Sequence, residues 1–163
     1  MRLINKVVNN TKQLNEAVDK PTVLDFDTAQ KIINKCVSES KSDGLFMNIA
    51  VVDATGRLKA FARMDGAWIG SIEIAQSKAF TALAFSGDED KQGPLPTDKL
   101  GDLSQPKKDL FGIQNTNPND GIVIFGGGVP LYINKKLVGA VGISGSSVDN
   151  DMKIAAFATS IIS

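Results

Sequence analysis

Two stretches of alternating apolar character, Phe46 to Asp53 and Arg57 to Arg63, are separated only by Ala54-Thr55-Gly56. A three-residue link reverses a chain but cannot carry it across a sheet face, since parallel neighbours need a crossover of about a dozen residues or more. The two segments therefore form an antiparallel hairpin, with Gly56 suited to a tight, bulged turn. Before the hairpin, Ala29, Ile32, Ile33, Cys36 and Val37 make one apolar helical face, with Asp27 and Gln30 at capping-box spacing and Gly44 as the stop. After it, Ser71 opens a helix whose Ile72, Ala75, Ala79 and Leu83 recur on one side and which ends by Gly87.

Between Gly87 and Asp120 lie four of the six prolines and seven acidic against four basic side chains, an excess of three negative charges. This stretch reads as a long surface excursion, with one helical turn around Thr97 to Leu103. The β pattern returns at Gly121 to Phe125, Val129 to Ile133 and Leu137 to Ser144, the last two joined by a tight turn at Asn134-Lys135-Lys136. A closing helix starts near Val148, with Met152, Ala155, Ala156, Ala158 and Thr159 expected to face inward. Helix, hairpin, helix, loop, three strands and helix is not the alternation of a doubly wound parallel sheet. It specifies an α+β domain, an antiparallel sheet of about five strands with helices packed on it. At 163 residues and 17.3 kDa the chain supports one core. The expected organisation is a helical extension over residues 1–23, with its helix between Ile4 and Val18, followed by a single domain over 24–163.

No histidine occurs. Imidazole-based nucleophilic triads, zinc sites with imidazole ligands and imidazole-ligated haem are thereby excluded. Eighteen basic and eighteen acidic side chains leave no net charge, so neither nucleic acid nor an anionic membrane is an expected partner. One cysteine, no signal-peptide pattern at the N-terminus and no apolar run of membrane-spanning length point to a cytoplasmic location.

Four features could carry chemistry. Gly126-Gly127-Gly128 is either a nest of N–H groups for an anion or flat ligand, or a bent link between strands. Gly139 and Gly142 interrupt an apolar strand, and close packing of the last helix on the sheet is the simplest account. Ser144-Gly145-Ser146-Ser147 is either the polar approach to that helix or the rim of a pocket. Lys78, on a helix with an apolar face, either holds a carboxylate or points to water. Ser38-Glu39-Ser40-Lys41 has acyl-enzyme spacing without its companion motifs. Asp88-Glu89-Asp90, Asp98 with Asp102, and Asp149 with Asp151 read as solvated acids and caps, so no metal site is expected. Met64, Tyr132 and Cys36 are the conceivable ligands for a haem iron, although Cys36 on a buried face reads as a core residue.

Asp53-Ala54-Thr55-Gly56, Arg63-Met64-Asp65-Gly66-Ala67 with Gly70-Ser71-Ile72-Glu73-Ile74-Ala75 and Lys78-Ala79, Gly126-Gly127-Gly128-Val129-Pro130, and Val138 to Gly145 occur in an order that resembles the GlcG/HbpS-like family. That family also supplies the C-terminal domain of PduO-type corrinoid adenosyltransferases. The resemblance runs from about Leu24 to Ala158. It implies a profilin-like α/β/α fold, a five-stranded antiparallel sheet with helices on both faces, and homo-oligomers, octamers among them. It also implies a haem or other tetrapyrrole pocket near subunit contacts. Where family members hold the iron through an imidazole, this chain has none. The positions matching the family motifs, and so implied to line the pocket, are Arg63, Met64, Asp65, Gly66, Ser71, Lys78, Gly126, Gly127, Gly128, Pro130, Ser144 and Gly145. No catalytic role comes with them, and the adenosyltransferase activity belongs to a different domain of the fused proteins.

The first expectation is thus an oligomeric small-ligand-binding protein. The second is an enzyme or accessory protein for a small carboxylate or aldehyde in a glycolate or diol utilisation context, with Lys78 binding the anion and Asp65 as base. The third is a purely structural module with no ligand.

Overall fold

The hairpin forms where the link length requires it. In a computed structural model that describes residues 23–116 and 121–162, strand β1 (Asn48–Asp53) returns as β2 (Leu58–Arg63), with Gly56 at φ +77° in the turn. A register shift between Val51 and Val52 supplies the expected bulge. The other strands are β3 (Gly128–Ile133) and β4 (Lys136–Ser144), and all four pair antiparallel in the order β2-β1-β4-β3. Asn134 and Lys135 both hold positive φ at the β3–β4 turn, as a two-residue hairpin link of matching twist demands. The helix expected between Ile4 and Val18 lies outside the described residues.

Side-chain alternation sorts the core. Ile49, Val51, Val141 and Ile143 point to one face, where helices α1 (Phe26–Ser42) and α4 (Val148–Thr159) supply Ile32, Cys36, Ile154 and Ala155. Ala50, Val52 and Ala140 point to the other, where α2 (Ser71–Ala84) supplies Ala75, Ala79, Ala82 and Leu83. Helices therefore cover both faces, and the α2 layer is built almost wholly of small side chains. Small residues let α2 press onto β4 until a Cβ on Gly142 would overlap the Ala75 carbonyl and meet the Ala79 N–H. The strand glycine does mark close packing, but against α2 rather than the last helix.

Among the described residues the sheet has four strands, not the five expected. Gly121 to Phe125 forms no strand and lies beside α2 and the short helix α3 (Thr97–Leu103), and its backbone bonds to a helix side chain: the Val123 N–H donates to Thr81 Oγ1 at 3.0 Å. The Ile124 carbonyl fills the place of a Cβ on Gly101, so the segment is wedged between helices and never reaches a strand partner. Pro130 fits β3 as the strand that ends the sheet.

Three smaller expectations also change. The cap of α1 is Asp25, which accepts the Thr28 N–H at 2.7 Å, rather than Asp27. The buried face of α4 is Asp151, Ile154, Ala155 and Ala158, with Met152 and Ala156 turned outward. Asp88 is not a free loop acid: it accepts from Lys136 Nζ at 2.9 Å and the Leu137 N–H at 3.1 Å, tying the acidic excursion to the β3–β4 turn. Those bonds hold its carboxyl down at about 2.

Candidate ligand site

The helical face that places Ala75, Ala79 and Ala82 on the sheet also carries Lys78, whose side chain is 0% exposed. Its Nζ donates to Asp151 Oδ2 at 2.6 Å and to the Ile143 carbonyl at 2.8 Å, and stands 4.9 Å from the centre of the Phe125 ring. The ammonium is thus surrounded by a carboxylate, a carbonyl and a π face. The second oxygen of Asp151 accepts the Ser146 N–H at 3.2 Å. Burial pushes the Lys78 ammonium below its ordinary value and the Asp151 carboxyl above its own, and the contact between them opposes both shifts. This pair ties α2, β4 and α4 together.

The glycine triplet roofs the pair. Gly127, at φ +117°, lies where a Cβ would stand 2.8 Å from Lys78 Nζ and 2.6 Å from the Ile143 carbonyl. Gly128 gives its N–H to Thr97 Oγ1 at 2.9 Å, and a Cβ there would overlap the Lys78 carbonyl. Gly126 abuts the Met152 side chain. No strand immediately precedes the triplet, so it is not a link between strands; it passes between α2 and α4 and leads into β3.

Two concavities lie elsewhere. One, of about 590 Å³, runs between the C-terminal end of α1 and the end of β2. Val37, Leu45, Phe46, Ala62 and Met64 wall it, and Lys41, Arg63 and Asp65 also line it, Arg63 at the end of β2 across the ladder from Asn48. Lys41 and Arg63 form no ion pair among the described residues. Gly66 backs this groove, where an added Cβ would stand 3.4 Å from the Phe46 ring. The other, of about 390 Å³, is walled by Pro94, Pro96, Val129, Pro130 and Tyr132 beside Thr159 and Ile162. The motif positions therefore divide among places: Arg63, Met64 and Asp65 in the larger groove, Pro130 in the smaller, Lys78 with the glycine triplet in the interior. Ser71 and Ser144 are buried at the start of α2 and the end of β4.

A family model described as haem degrading protein HbpS-like matches residues 24–160. This chain belongs to the HbpS-like family. Among its relatives, an uncharacterised 15.0 kDa protein of the dhaT-dhaS intergenic region of Citrobacter freundii is 42% identical over 106 residues, 65% of this chain and 68% of that one. The corrinoid adenosyltransferase PduO of Salmonella typhimurium is 32% identical over 142 residues, 87% of this chain but only 40% of PduO. A crystal structure of a PduOC–haem complex superposes with a TM-score of 0.76 at 32% identity, covering 86% of this chain and 95% of that one.

In this HbpS-like chain the three side chains that the sequence offers as ligands for a haem iron are each buried or hydrogen-bonded within the protein. Cys36 is 0% exposed, and burial raises its thiol to about 12. The Met64 sulfur accepts the Met47 N–H at 3.4 Å. Tyr132 donates its hydroxyl to the Gly87 carbonyl at 3.0 Å, and burial raises the phenol further from a phenolate. With no histidine in the sequence, each conceivable iron ligand is already engaged or buried. Sequence reasoning missed Lys41 and Phe46 as groove residues, because Lys41 was weighed only as the end of the Ser38–Lys41 acyl-enzyme spacing and Phe46 only as the start of a strand pattern.

Proposed function

We propose that this HbpS-like protein captures a tetrapyrrole in the groove of Phe46, Met64, Lys41 and Arg63, holding the macrocycle by its ring and its carboxylates. One observation carries the reading: an apolar wall of about 590 Å³ meets two cations with no carboxylate partner. That combination matches a flat apolar molecule with acid groups on one edge, and the volume lies within the range of about 300–1,000 Å³ usual for small-ligand sites. The haem complex of the PduOC relative supports the ligand class. No covalent chemistry is assigned to the chain.

Self-association accompanies this reading. Trp68 and Ile69, adjacent in the chain, are 64% and 76% exposed, and a second copy covering them would remove that apolar surface from water. Sedimentation at micromolar concentration should return a homo-oligomer, and a 17.3 kDa species would oppose it.

The test is titration with hemin and with metal-free protoporphyrin IX, followed by absorption and by quenching of tryptophan fluorescence. Both should bind at micromolar levels with affinities within about threefold, because nothing in the groove favours the metal. Phe46→Ala and the pair Lys41→Ala/Arg63→Ala should each weaken both ligands by about tenfold. Absence of a spectral shift with either porphyrin removes the proposal.

A further inference from the structure

On the α2 face of the sheet, opposite the groove's apolar wall, three polar side chains are buried together with unspent hydrogen-bonding capacity. Asn48 opens β1 and is 0% exposed. Its Nδ2 donates to the Trp68 carbonyl at 2.9 Å, while Oδ1 has no partner. Leaving a buried acceptor unpaired costs about 1–3 kcal/mol, so such a group calls for a donor. Ser144 lies directly across the β1–β4 ladder from Asn48. Strand alternation turns both toward α2, since Ala50, Val52 and Ala140 of the same strands contact that helix. The third member is Ser71, the first residue of α2, whose N–H bonds to the same Trp68 carbonyl at 3.1 Å. Ser71 and Ser144 are each 4% exposed, and neither hydroxyl has a partner among the described residues.

At the helix end beside them the Ser71 and Ile72 N–H groups already donate to the Trp68 and Ile69 carbonyls, each at 3.1 Å, and no side chain adds a cap. The N-cap is Gly70, which has no side chain to offer. The N-terminus of a fourteen-residue helix attracts negative charge through its N–H groups and dipole. The two serine hydroxyls and the helix dipole therefore favour an anion, and Asn48 Oδ1 is a lone acceptor beside them.

The geometry points to a second binding site, formed by Asn48, Ser71, Ser144 and the start of α2, for a small carboxylate with a hydroxyl on the adjacent carbon. The carboxylate takes the serine hydroxyls, with the helix dipole favouring its charge, and the ligand's hydroxyl donates to Asn48 Oδ1. A hydroxyl suits the site better than an ammonium, because one orphan acceptor matches one donor and would leave two ammonium hydrogens unpaired. Near-complete burial of all three side chains limits the occupant to a few heavy atoms.

Calorimetric titration of the purified protein with lactate, propionate and lactamide separates the contributions of hydroxyl and charge. Lactate should bind at least about tenfold tighter than either of the others, as expected for the loss of one bond to a buried group. Ser71→Ala and Ser144→Ala should each weaken lactate by about fivefold or more. Asn48→Leu should erase the preference for lactate over propionate, and if that variant does not fold, the two serine variants decide. Absence of lactate binding, equal affinity for lactate and propionate, equal affinity for lactate and lactamide, or serine variants that bind like the parent each overturn the assignment. The first of these would mean that ordered water alone satisfies Asn48.

Discussion

Replacing Asp151 with alanine should be among the most damaging single changes in the protein, and its cost should depend on pH. The substitution leaves the Lys78 ammonium fully buried with only the Ile143 carbonyl and the Phe125 ring for company. Breaking a buried pair from one side costs about 3–5 kcal/mol. An independent ceiling comes from the lysine's own escape, which is to lose its proton. With an ordinary lysine value of 10.5, deprotonation at pH 7 costs about 5 kcal/mol at 1.36 kcal/mol per unit, and the two figures agree. The ceiling falls as the solution becomes more basic, to about 2 kcal/mol at pH 9. The sign follows from proton counts. In the variant the unfolded chain binds the Lys78 proton and the folded chain sheds it, so stability relative to the parent rises with pH up to the unfolded value. Urea denaturation followed by far-ultraviolet circular dichroism, at pH 7, 8 and 9, should show a deficit that narrows stepwise. Lys78→Met combined with Asp151→Leu should recover to within about 1 kcal/mol of the parent, because apolar replacement of both partners removes the desolvation cost. An Asp151→Ala deficit below about 1 kcal/mol, or one independent of pH, would refute the claim that this pair is sealed from solvent.

Gly142→Ala forces a methyl into the Ala75 backbone, which cannot yield without moving α2, so it should cost about 3 kcal/mol or more. Gly44→Ala, with no atom within 4 Å of the new Cβ and only its φ of +67° to penalise it, should cost about 1 kcal/mol; equal urea midpoints for the two would contradict the packing argument. Asp88, held at about 2 against an ordinary 3.8, contributes stability that is complete above the ordinary value and is lost as pH falls from there toward 2. Asp88→Asn should flatten the parent's melting temperature profile in that window, and an unchanged profile would count against its tie to Lys136. Cys36, with its thiol raised to about 12 and no exposed surface, should react with a thiol reagent only at the rate of unfolding. Rapid labelling of native protein would place it elsewhere.

The hairpin and the helices around it were legible because each obeys a local rule: link length for β1–β2, period for α1 and α2, a two-residue turn for β3–β4. The segment from Gly121 to Phe125 was not, because its pattern is that of a strand and only tertiary crowding between α2 and α3 denies it a neighbour. The ion pair is the more instructive case, since its signal was present but had to be read in two places at once. Lys78 shares the face of Ala75, Ala79 and Ala82, and Asp151 shares the face of Ile154, Ala155 and Ala158, each a charge at a position that helical spacing assigns to the core. Taken singly, either charge is more simply a helix turned a little toward water. Taken together, they are opposite charges on two buried faces, and burial without a partner would cost each more than the helix gains. The same logic separates the two proposed ligand sites from the interior pair. Lysine and aspartate consume one another's capacity, whereas Asn48 Oδ1 and the cations Lys41 and Arg63 retain theirs, and unspent capacity rather than motif membership is what a ligand can use.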